Sequence, residues 1–560
     1  KKGSNAAIAE ALTNIVFAPL EDGLKSISLS ANWMWPCNNP GEDARLYDAV
    51  QECSDFAISL GINIPTGKDS LYMKQKYPDG DVLAPGTVII SAAGQCKDIS
   101  NIITPLATVN GGRIYYIDFA QDQFHLGGSS FAQSLDRIGK ETPSVQDARY
   151  FKKAFNAVQD HISNRKINAG HDIGSGGLIT TLLELCFASN SVGMNIDFSG
   201  LEETDLVKIL FSEKVGVVLQ SKENLTASFD KFGIKAVMIG NTTKNGNLNI
   251  GKLRLSIPSM RKIWMATSSK LESYQTKKPL ATIRAENIIK QPLKFNFPKK
   301  FNGKKPIPKQ NNIKAAVVRE KGSNSEREMA YMMDLSGFIV RDVHMTDLIE
   351  GRENLEDIDL LVAVGGFSNS DVLGSAKGWA GAFKYNQKAK SAIENFFQRP
   401  DTLSLGVCNG CQLFIELGLI TPNHKKQPKM LHNDSGKFEC IFTAVTIETS
   451  KAIILNGLEG STLGIWAAHG EGKFSFPQKE TNYQIPAKYL YSEYPSNPNG
   501  SDYNAAMLAS EDGRHLVMMP HLERTIFPWN WGHYPDNRSD EVSPWVMVFE
   551  NAYNWLANKS

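Results

Sequence analysis

The sequence predicts a multidomain chain of α/β and α+β parts, with an α+β half up to about residue 268 and a parallel-sheet α/β domain from about residue 313. Three observations predict it. At 560 residues the chain is longer than one core usually organises, and three or four domains are expected at roughly 150 residues each. Amphipathic helical patterns mixed with short apolar runs fill the first half. After residue 312, continuous apolar strands alternate regularly with helices, which is the pattern of a parallel sheet covered on both faces.

Taken in order, 1–109 reads as one α+β domain, with helical periodicity over 6–17 and 42–60 and a strand over 87–93. The opening KKGSNAAIAEALTNIVFA enters its helix almost at once and lacks strands to share a sheet with 88–92, so the chain reads as a piece of a longer one. A Gly turn at 110–112 then leads into a strand over 113–118, which begins a second α+β domain, 110–268. Within it, Gly127-Gly128 opens a helix, 168–172 and 216–220 read as strands, and a turn at 174–177 precedes a helix over 178–188. From 269 to 312 the composition shifts to Lys and Pro without sustained period, as in a linker running over a surface or in a decorated edge of either neighbouring domain. The last domain, 313–560, has apolar strands at 313–318, 338–343, 359–364 and 403–407. Its helices cover 325–335 and start again near 411.

Lys and Arg number 60 against 59 Asp and Glu, so no general basic field argues for nucleic acid or an anionic membrane. No apolar run reaches the length of a bilayer span. Seven cysteines are too sparse for a disulfide framework, and a reducing cytoplasm is the expected setting.

The strongest local signal is Gly406-Val407-Cys408-Asn409-Gly410-Cys411-Gln412, between a strand and a helix. It is a Gly-x-nucleophile-x-Gly elbow with Cys in the nucleophile position. The glycines permit the sharp turn, and the helix N-terminus favours thiolate over thiol. The N–H of Asn409 can point at an oxyanion, and Gly365-Gly366-Phe367, at the end of its own strand, is the natural source of a second donor. A strand ending in Pro520-His521-Leu522-Glu523 offers the base and its orienter, because residues two apart in an extended segment point the same way. A thioredoxin-like Cys408-x-x-Cys411 redox pair and a plain buried cysteine are the competing readings. Cys411 reads as packing, and His469 either orients substrate or caps a loop.

Together with Gly365-Gly366-Phe367-Ser368, His469-Gly470-Glu471-Gly472, Pro498-Asn499-Gly500-Ser501 and Met519-Pro520-His521-x-Glu523, the elbow resembles the class I glutaminase domain of the phosphoribosylformylglycinamidine synthase family. Upstream, 9–15, 29–34, 40–44, 65–70, Leu126-Gly127-Gly128-Ser129, His171-Asp172 and Phe211-Ser212-Glu213 resemble the second synthase repeat of that family. The resemblance implies aminoimidazole ribonucleotide synthetase-like α+β domains followed by a flavodoxin-like glutaminase. It also implies a larger protein with an N-terminal domain and a first synthase repeat that this chain lacks. The family reaction joins ATP, formylglycinamide ribonucleotide and glutamine-derived ammonia, which is expected to travel internally.

By that resemblance Cys408 forms a glutamyl thioester, His521 moves the protons and Glu523 orients it. Gln412 and Gly365, Gly366 and Phe367 help bind glutamine and the oxyanion. Glu10, Asn14 and Asp172 match positions that hold Mg2+ beside a bound ATP or ADP at an auxiliary site, with Gly174 in the nucleotide loop. Glu10 and Asn14, four apart on one helix face, can reach one cation. Lys68-Asp69 fits either a phosphate contact or a turn. Gly174-Ser175 stands where relatives often have Ser-Asp, Ser368-Asn369-Ser370-Asp371 where Tyr-Gly is common before the Asp, and Leu522 where Pro is frequent. Two readings compete with an amidotransferase fragment: a non-catalytic nucleotide-binding scaffold with an idle glutaminase, and a cysteine hydrolase of another class.

Overall fold

The computed structural model describes residues 2–307, 312–535 and 537–558. The chain divides into two compact units, Lys1–Ala266 and Thr267–Ser560.

In the first unit, the helix Lys2–Ile15 buries Ile8, Ala9 and Leu12. It packs on the helix Glu42–Leu60 and on the strand Thr87–Gly94, the edge of a three-stranded sheet. The strand Ile27–Met34 is central in that sheet, parallel to Asn63–Ser70 and antiparallel to Thr87–Gly94. A seven-stranded mixed sheet follows, with Arg113–Asp118, Gly216–Ser221 and Ala169–Asp172 adjacent to one another. The 1–109 and 110–268 parts, read from sequence as separate domains, share a buried cluster, and the second part has a further cluster of its own that includes Leu182, Met194 and Leu248. Ile8, Leu12 and Phe56 belong to the same buried cluster as Phe151, Phe155 and Val217.

The second unit is built on a six-stranded sheet. Its order is Ile339–His344, Lys314–Arg319, Leu360–Ala363, Leu403–Val407, His515–Met518 and Met507–Ala509. The first five strands are parallel and the last runs antiparallel at the edge. Leu360–Ala363, Leu403–Val407 and His515–Met518 are buried along their whole length, as expected for strands covered on both faces. A smaller antiparallel sheet of Glu439–Ile447, Thr462–His469 and Ala487–Tyr489 lies outside this parallel frame and was not expected from sequence.

The stretch 269–312 is not a bare linker. The helix Ile257–Gln275 runs into it and a second helix spans Leu280–Asn287. Beyond them, Asn296 exchanges backbone hydrogen bonds with Thr462 at 3.0 and 2.8 Å. Phe295 and Phe297 both meet Trp531, at 5.2 and 5.6 Å between centroids. Alternation of two aromatics along an extended segment drives this docking, and the surrounding lysines mask it in a composition window. Residues 308–311 lie outside the described residues.

Candidate active site

The fully buried strand Leu403–Val407 ends at Cys408, and the helix Asn409–Glu416 begins immediately after it. Cys408 has φ 51° and ψ −104°, a sparsely populated conformation that costs about 1–3 kcal/mol and persists only where its surroundings impose it. They do impose it here. Its N–H donates to the Met518 carbonyl at 2.8 Å, and its carbonyl accepts from the Gln412 N–H at 3.0 Å. A Cβ at position 406 would come within 2.7 Å of the Gly410 carbonyl, and one at 410 within 2.1 Å of the Ala363 carbonyl. Both flanking glycines are therefore required for the close approach of helix to strand. The helix starts two residues earlier than the sequence pattern indicates.

His521 follows the neighbouring parallel strand, where Val407 pairs with Met518. Its N–H donates to the Trp466 carbonyl at 2.8 Å, which fixes the backbone at this point. Its Nδ1 stands 2.6 Å from Glu523 Oε1. The pair does not meet through extended alternation as the sequence suggested, because Glu523 lies in a short 3-10 turn, Leu522–Arg524. Burial alone would lower the His521 value. Glu523 and the Cys408 sulfur outweigh it, and the ring is pushed up to about 9. The Glu523 carboxyl, although burial works against its charge, is held below the ordinary range by His521.

With Nδ1 spent on Glu523, Nε2 is the nitrogen left to act, and it has no hydrogen-bond partner among the described residues. Gly365 shows how closely these groups converge. A Cβ there would lie 2.9 Å from His521 Cε1 and 3.4 Å from Cys408 Cβ. Three parallel-strand ends thus bring Gly365, Cys408 and His521 together.

The candidate oxyanion donors separate. Gly366 has φ 118° and faces Ser323 in an antiparallel bridge. In that bridge the Phe367 N–H donates to the Gly322 carbonyl at 2.9 Å, so this donor is spent. The Gly366 N–H points away from the bridge partner, as in any pair of this kind. It and the Asn409 N–H at the helix start remain as donors. The Phe367 ring instead approaches Phe438 at 5.9 Å and is half exposed. The Gln412 side chain is also engaged: its amide donates to the Glu471 carbonyl at 2.8 Å and its oxygen accepts from Asn409 at 2.9 Å. It positions the loop after His469 and keeps a second N–H and a second lone pair, and it lines the cavity beside Cys408.

These residues line a cavity of about 650 Å³. Its walls also carry Asp371 and Glu471, and Lys277, Lys437 and Arg524. Burial, with Glu471 adding to it, raises the Asp371 carboxyl above its ordinary value. Sequence reasoning missed Lys277 and Lys437. They come from the presumed linker and from the segment before the small sheet, and only the fold brings them to Cys408.

In the first unit, Asn14 donates to Asp172 Oδ2 at 3.2 Å. A Cβ on Gly174 would be 3.7 Å from Glu10 Oε1 and 3.9 Å from Asp172 Oδ2, so both carboxylates flank that glycine. The Glu10 carboxyl is raised, first by burial and then by Asp172 and Glu213. Two neighbouring carboxylates beside the Asn14 amide, whose nitrogen faces Asp172, fit the oxygen-donor preference of a hard cation. Among the described residues no three His, Cys, Asp or Glu side chains meet as metal ligands. Glu10 and Asn14 line a groove with Val88–Ala92, and Lys68 is not part of it. Lys68 and Asp69 lie within the strand Asn63–Ser70 rather than in a turn, and Lys68 reaches Ser70 Oγ and the Asp69 carbonyl.

Three family models match the chain. Residues 312–556 match a CobB/CobQ-like glutamine amidotransferase domain, 1–95 an FGAR-AT PurM_N-like domain, and 114–252 the C-terminal domain of AIR synthase related proteins. A probable phosphoribosylformylglycinamidine synthase, chloroplastic/mitochondrial, of Arabidopsis thaliana is 39% identical over 99% of this chain and 42% of its own length. The phosphoribosylformylglycinamidine synthase of Homo sapiens is 36% identical over 100% of this chain and 45% of its own. The probable enzyme of that name in Caenorhabditis elegans is 35% identical over 99% and 46%. The chain thus spans less than half the length of the curated relatives it matches. Among the described residues no helix is long and apolar enough to cross a membrane.

Proposed function

Because the chain belongs to the phosphoribosylformylglycinamidine synthase family, we propose that its second unit hydrolyses glutamine with Cys408, His521 and Glu523. The observation that carries this reading is the buried 2.6 Å contact between His521 Nδ1 and Glu523, which leaves Nε2 for the adjacent Cys408.

In the proposed reaction, the Cys408 thiolate attacks the carboxamide carbon of glutamine and the carbonyl oxygen becomes an oxyanion. The Gly366 and Asn409 N–H groups stabilise it. His521, protonated at Nε2, gives that proton to the leaving ammonia as the C–N bond breaks, and a glutamyl thioester forms. Water, deprotonated by His521, then cleaves the thioester, releasing glutamate and returning the thiolate–imidazolium pair. Asp371 and Glu471 suit the substrate α-ammonium, and Lys437, Lys277 and Arg524 its α-carboxylate.

In the whole protein the ammonia would serve ATP-dependent conversion of formylglycinamide ribonucleotide to its amidine, with the parts missing from this chain completing the synthase. Glu10, Asn14 and Asp172 would hold Mg2+ next to an auxiliary ATP or ADP. The cation would neutralise nucleotide phosphate charge. The seven unpaired cysteines suit a reducing, cytoplasmic setting.

Mass spectrometry after treatment with a glutamine-mimicking chloroketone tests the reading. One adduct on Cys408, lost in His521→Ala, is expected. Labelling elsewhere, or labelling indifferent to His521, would overturn it.

A further inference from the structure

Two imidazoles, not one, stand beside Cys408. The His469 ring lies nearly parallel to His521, with centroids 6.1 Å apart and planes 22° apart. The residue just before it, Ala468, presents its carbonyl 3.9 Å from Cys408 Sγ. His469 is 2% exposed, and the proposed hydrolysis gives it no task.

A chain of hydrogen bonds fixes the protonation of this ring from the backbone outward. The Gly472 N–H, which can only donate, meets Asn433 Oδ1 at 3.0 Å. That identifies the Asn433 oxygen, and its Nδ2 is then free to donate to the carbonyls of His469 and Lys437, at 2.6 and 3.0 Å. The Asn499 amide atom lying 2.7 Å from Asn433 Oδ1 must therefore be nitrogen. Consistently, Asn499 Oδ1 accepts from the Tyr489 hydroxyl at 3.0 Å. The second hydrogen of that same nitrogen points at His469 Nδ1, 2.9 Å away. His469 Nδ1 is thus an acceptor with a lone pair. An imidazolium has no lone pair, so the ring is neutral and carries its proton on Nε2, which has no hydrogen-bond partner among the described residues.

The two glycine-containing motifs supply the space for this lock. A Cβ on Gly472 would come within 2.3 Å of Asn499 Nδ2 and 2.6 Å of His469 Nδ1. Gly500 has φ +72°, and a Cβ there would strike Asp434.

We propose that Asn499 silences His469, so that of the two rings beside Cys408 only His521 can carry its proton. The inference rests on the glutaminase reading for its consequence, while the state of the ring stands on the hydrogen bonds alone. His469 is a positioning residue. A charge on it would face the His521 imidazolium directly and oppose the thiolate–imidazolium pair. Burial and His521 both hold the ring well below the ordinary imidazole value. The titratable and charged groups around it are Glu439, its register partner on the neighbouring strand, Glu471 on its own loop, His521, Glu523 and Arg524 on the segment after the base strand, Cys408 at the elbow, Lys437 on the loop of Asn433, and Tyr489.

Nitrogen NMR of protein labelled in its histidine rings tests this between pH 5 and 9. His469 is expected as the Nε2–H tautomer without titration across the range. In Asn499→Asp a carboxylate replaces the donor, so His469 should move its proton to Nδ1 and begin to titrate. Chloroketone labelling of Cys408 at pH 7 should then slow at least about tenfold, with an added step in its pH profile, and Asn499→Ser should recover part of the rate. A wild-type His469 that titrates, or carries its proton on Nδ1, would overturn the proposal without any variant. So would an unchanged tautomer and an unchanged profile in Asn499→Asp. If wild-type Cys408 resists labelling while His469 shows the Nε2–H tautomer, the glutaminase reading falls and the lock stands.

Discussion

Glu523 Oε1 meets His521 Nδ1 at 2.6 Å with neither residue more than 2% exposed. The contact fixes the imidazole tautomer and lifts the ring to about 9, far enough that it is an imidazolium throughout the neutral range. Glu523→Gln keeps the shape and removes the charge. The His521 value should then fall, because burial is no longer opposed by the carboxylate. Wild-type turnover that needs a protonated His521 is present below about 9 and lost as pH rises through it. In the variant this upper limb should move to lower pH and the rate should drop by about 10²–10⁴, the range for a positioned acid–base group. The folded value is raised above the unfolded one, so the pair also stabilises the fold below about 6.5, and this is lost as pH rises through about 9. A pH–rate profile of glutamine hydrolysis with an unmoved upper limb would refute the assignment.

Gly365 separates geometry from folding. Its φ lies outside the left-handed region, so alanine suits the backbone, but its Cβ would press His521 Cε1 at 2.9 Å. Gly365→Ala should slow chloroketone labelling of Cys408 at least about tenfold by displacing the base, with far-UV circular dichroism unchanged. Gly410→Ala is the contrast. A Cβ 2.1 Å from the Ala363 carbonyl wedges the helix off its strand, and soluble yield should fall instead. Equal effects of the two substitutions on labelling and yield would count against this account.

The elbow, the parallel strands and the His521–Glu523 pair were legible because each is written in a few neighbouring residues. The Leu403–Val407 strand and the Glu42–Leu60 helix appear with the bounds their periodicity gives. What was not legible depends on partners far along the chain. Nothing near Phe367 indicates that its N–H is taken by Gly322, and nothing near Gln412 that Glu471 and Asn409 hold its amide. Lys277 reaches the cavity because its own N–H donates to the Ser435 carbonyl at 2.8 Å, and the helix after it docks through Asn287 to the Tyr494 carbonyl at 2.7 Å. The shared buried cluster of the first two parts was hidden for the same reason, since periodicity says which face of a helix is apolar but not what covers it.

Docking of the 288–307 segment rests on its aromatics. Phe295→Ala removes edge contacts to Trp531 and Phe442 at 5.2 and 6.3 Å. The cost should stay below the roughly 3–5 kcal/mol of a fully buried Phe, because Phe295 is only partly buried. Local opening then becomes easier, and trypsin should cut after Lys294 and Lys299 several-fold faster than in the wild type, before the glutaminase domain itself is degraded. Unchanged cleavage would mean that the backbone bridge between Asn296 and Thr462 suffices.

Burial, and after it Asp172 and Glu213, raise the cost of ionising Glu10, and a bound cation would reverse that. Calorimetric titration with Mg2+ alone should show one weak site in the wild type, and Asp172→Asn should weaken it at least about tenfold, about 1.4 kcal/mol. Because the Glu10 carboxyl is raised by burial and by its acidic neighbours, protons compete with metal at that oxygen. Affinity should therefore grow as pH rises through the elevated Glu10 value, with proton release that disappears in Glu10→Gln. Adding ADP separates the two roles of the pocket: if the nucleotide sits there, it should tighten Mg2+ binding in the wild type and have no effect in Asp172→Asn. Mg2+ heats that are identical in wild type, Glu10→Gln and Asp172→Asn would remove the cation from this site.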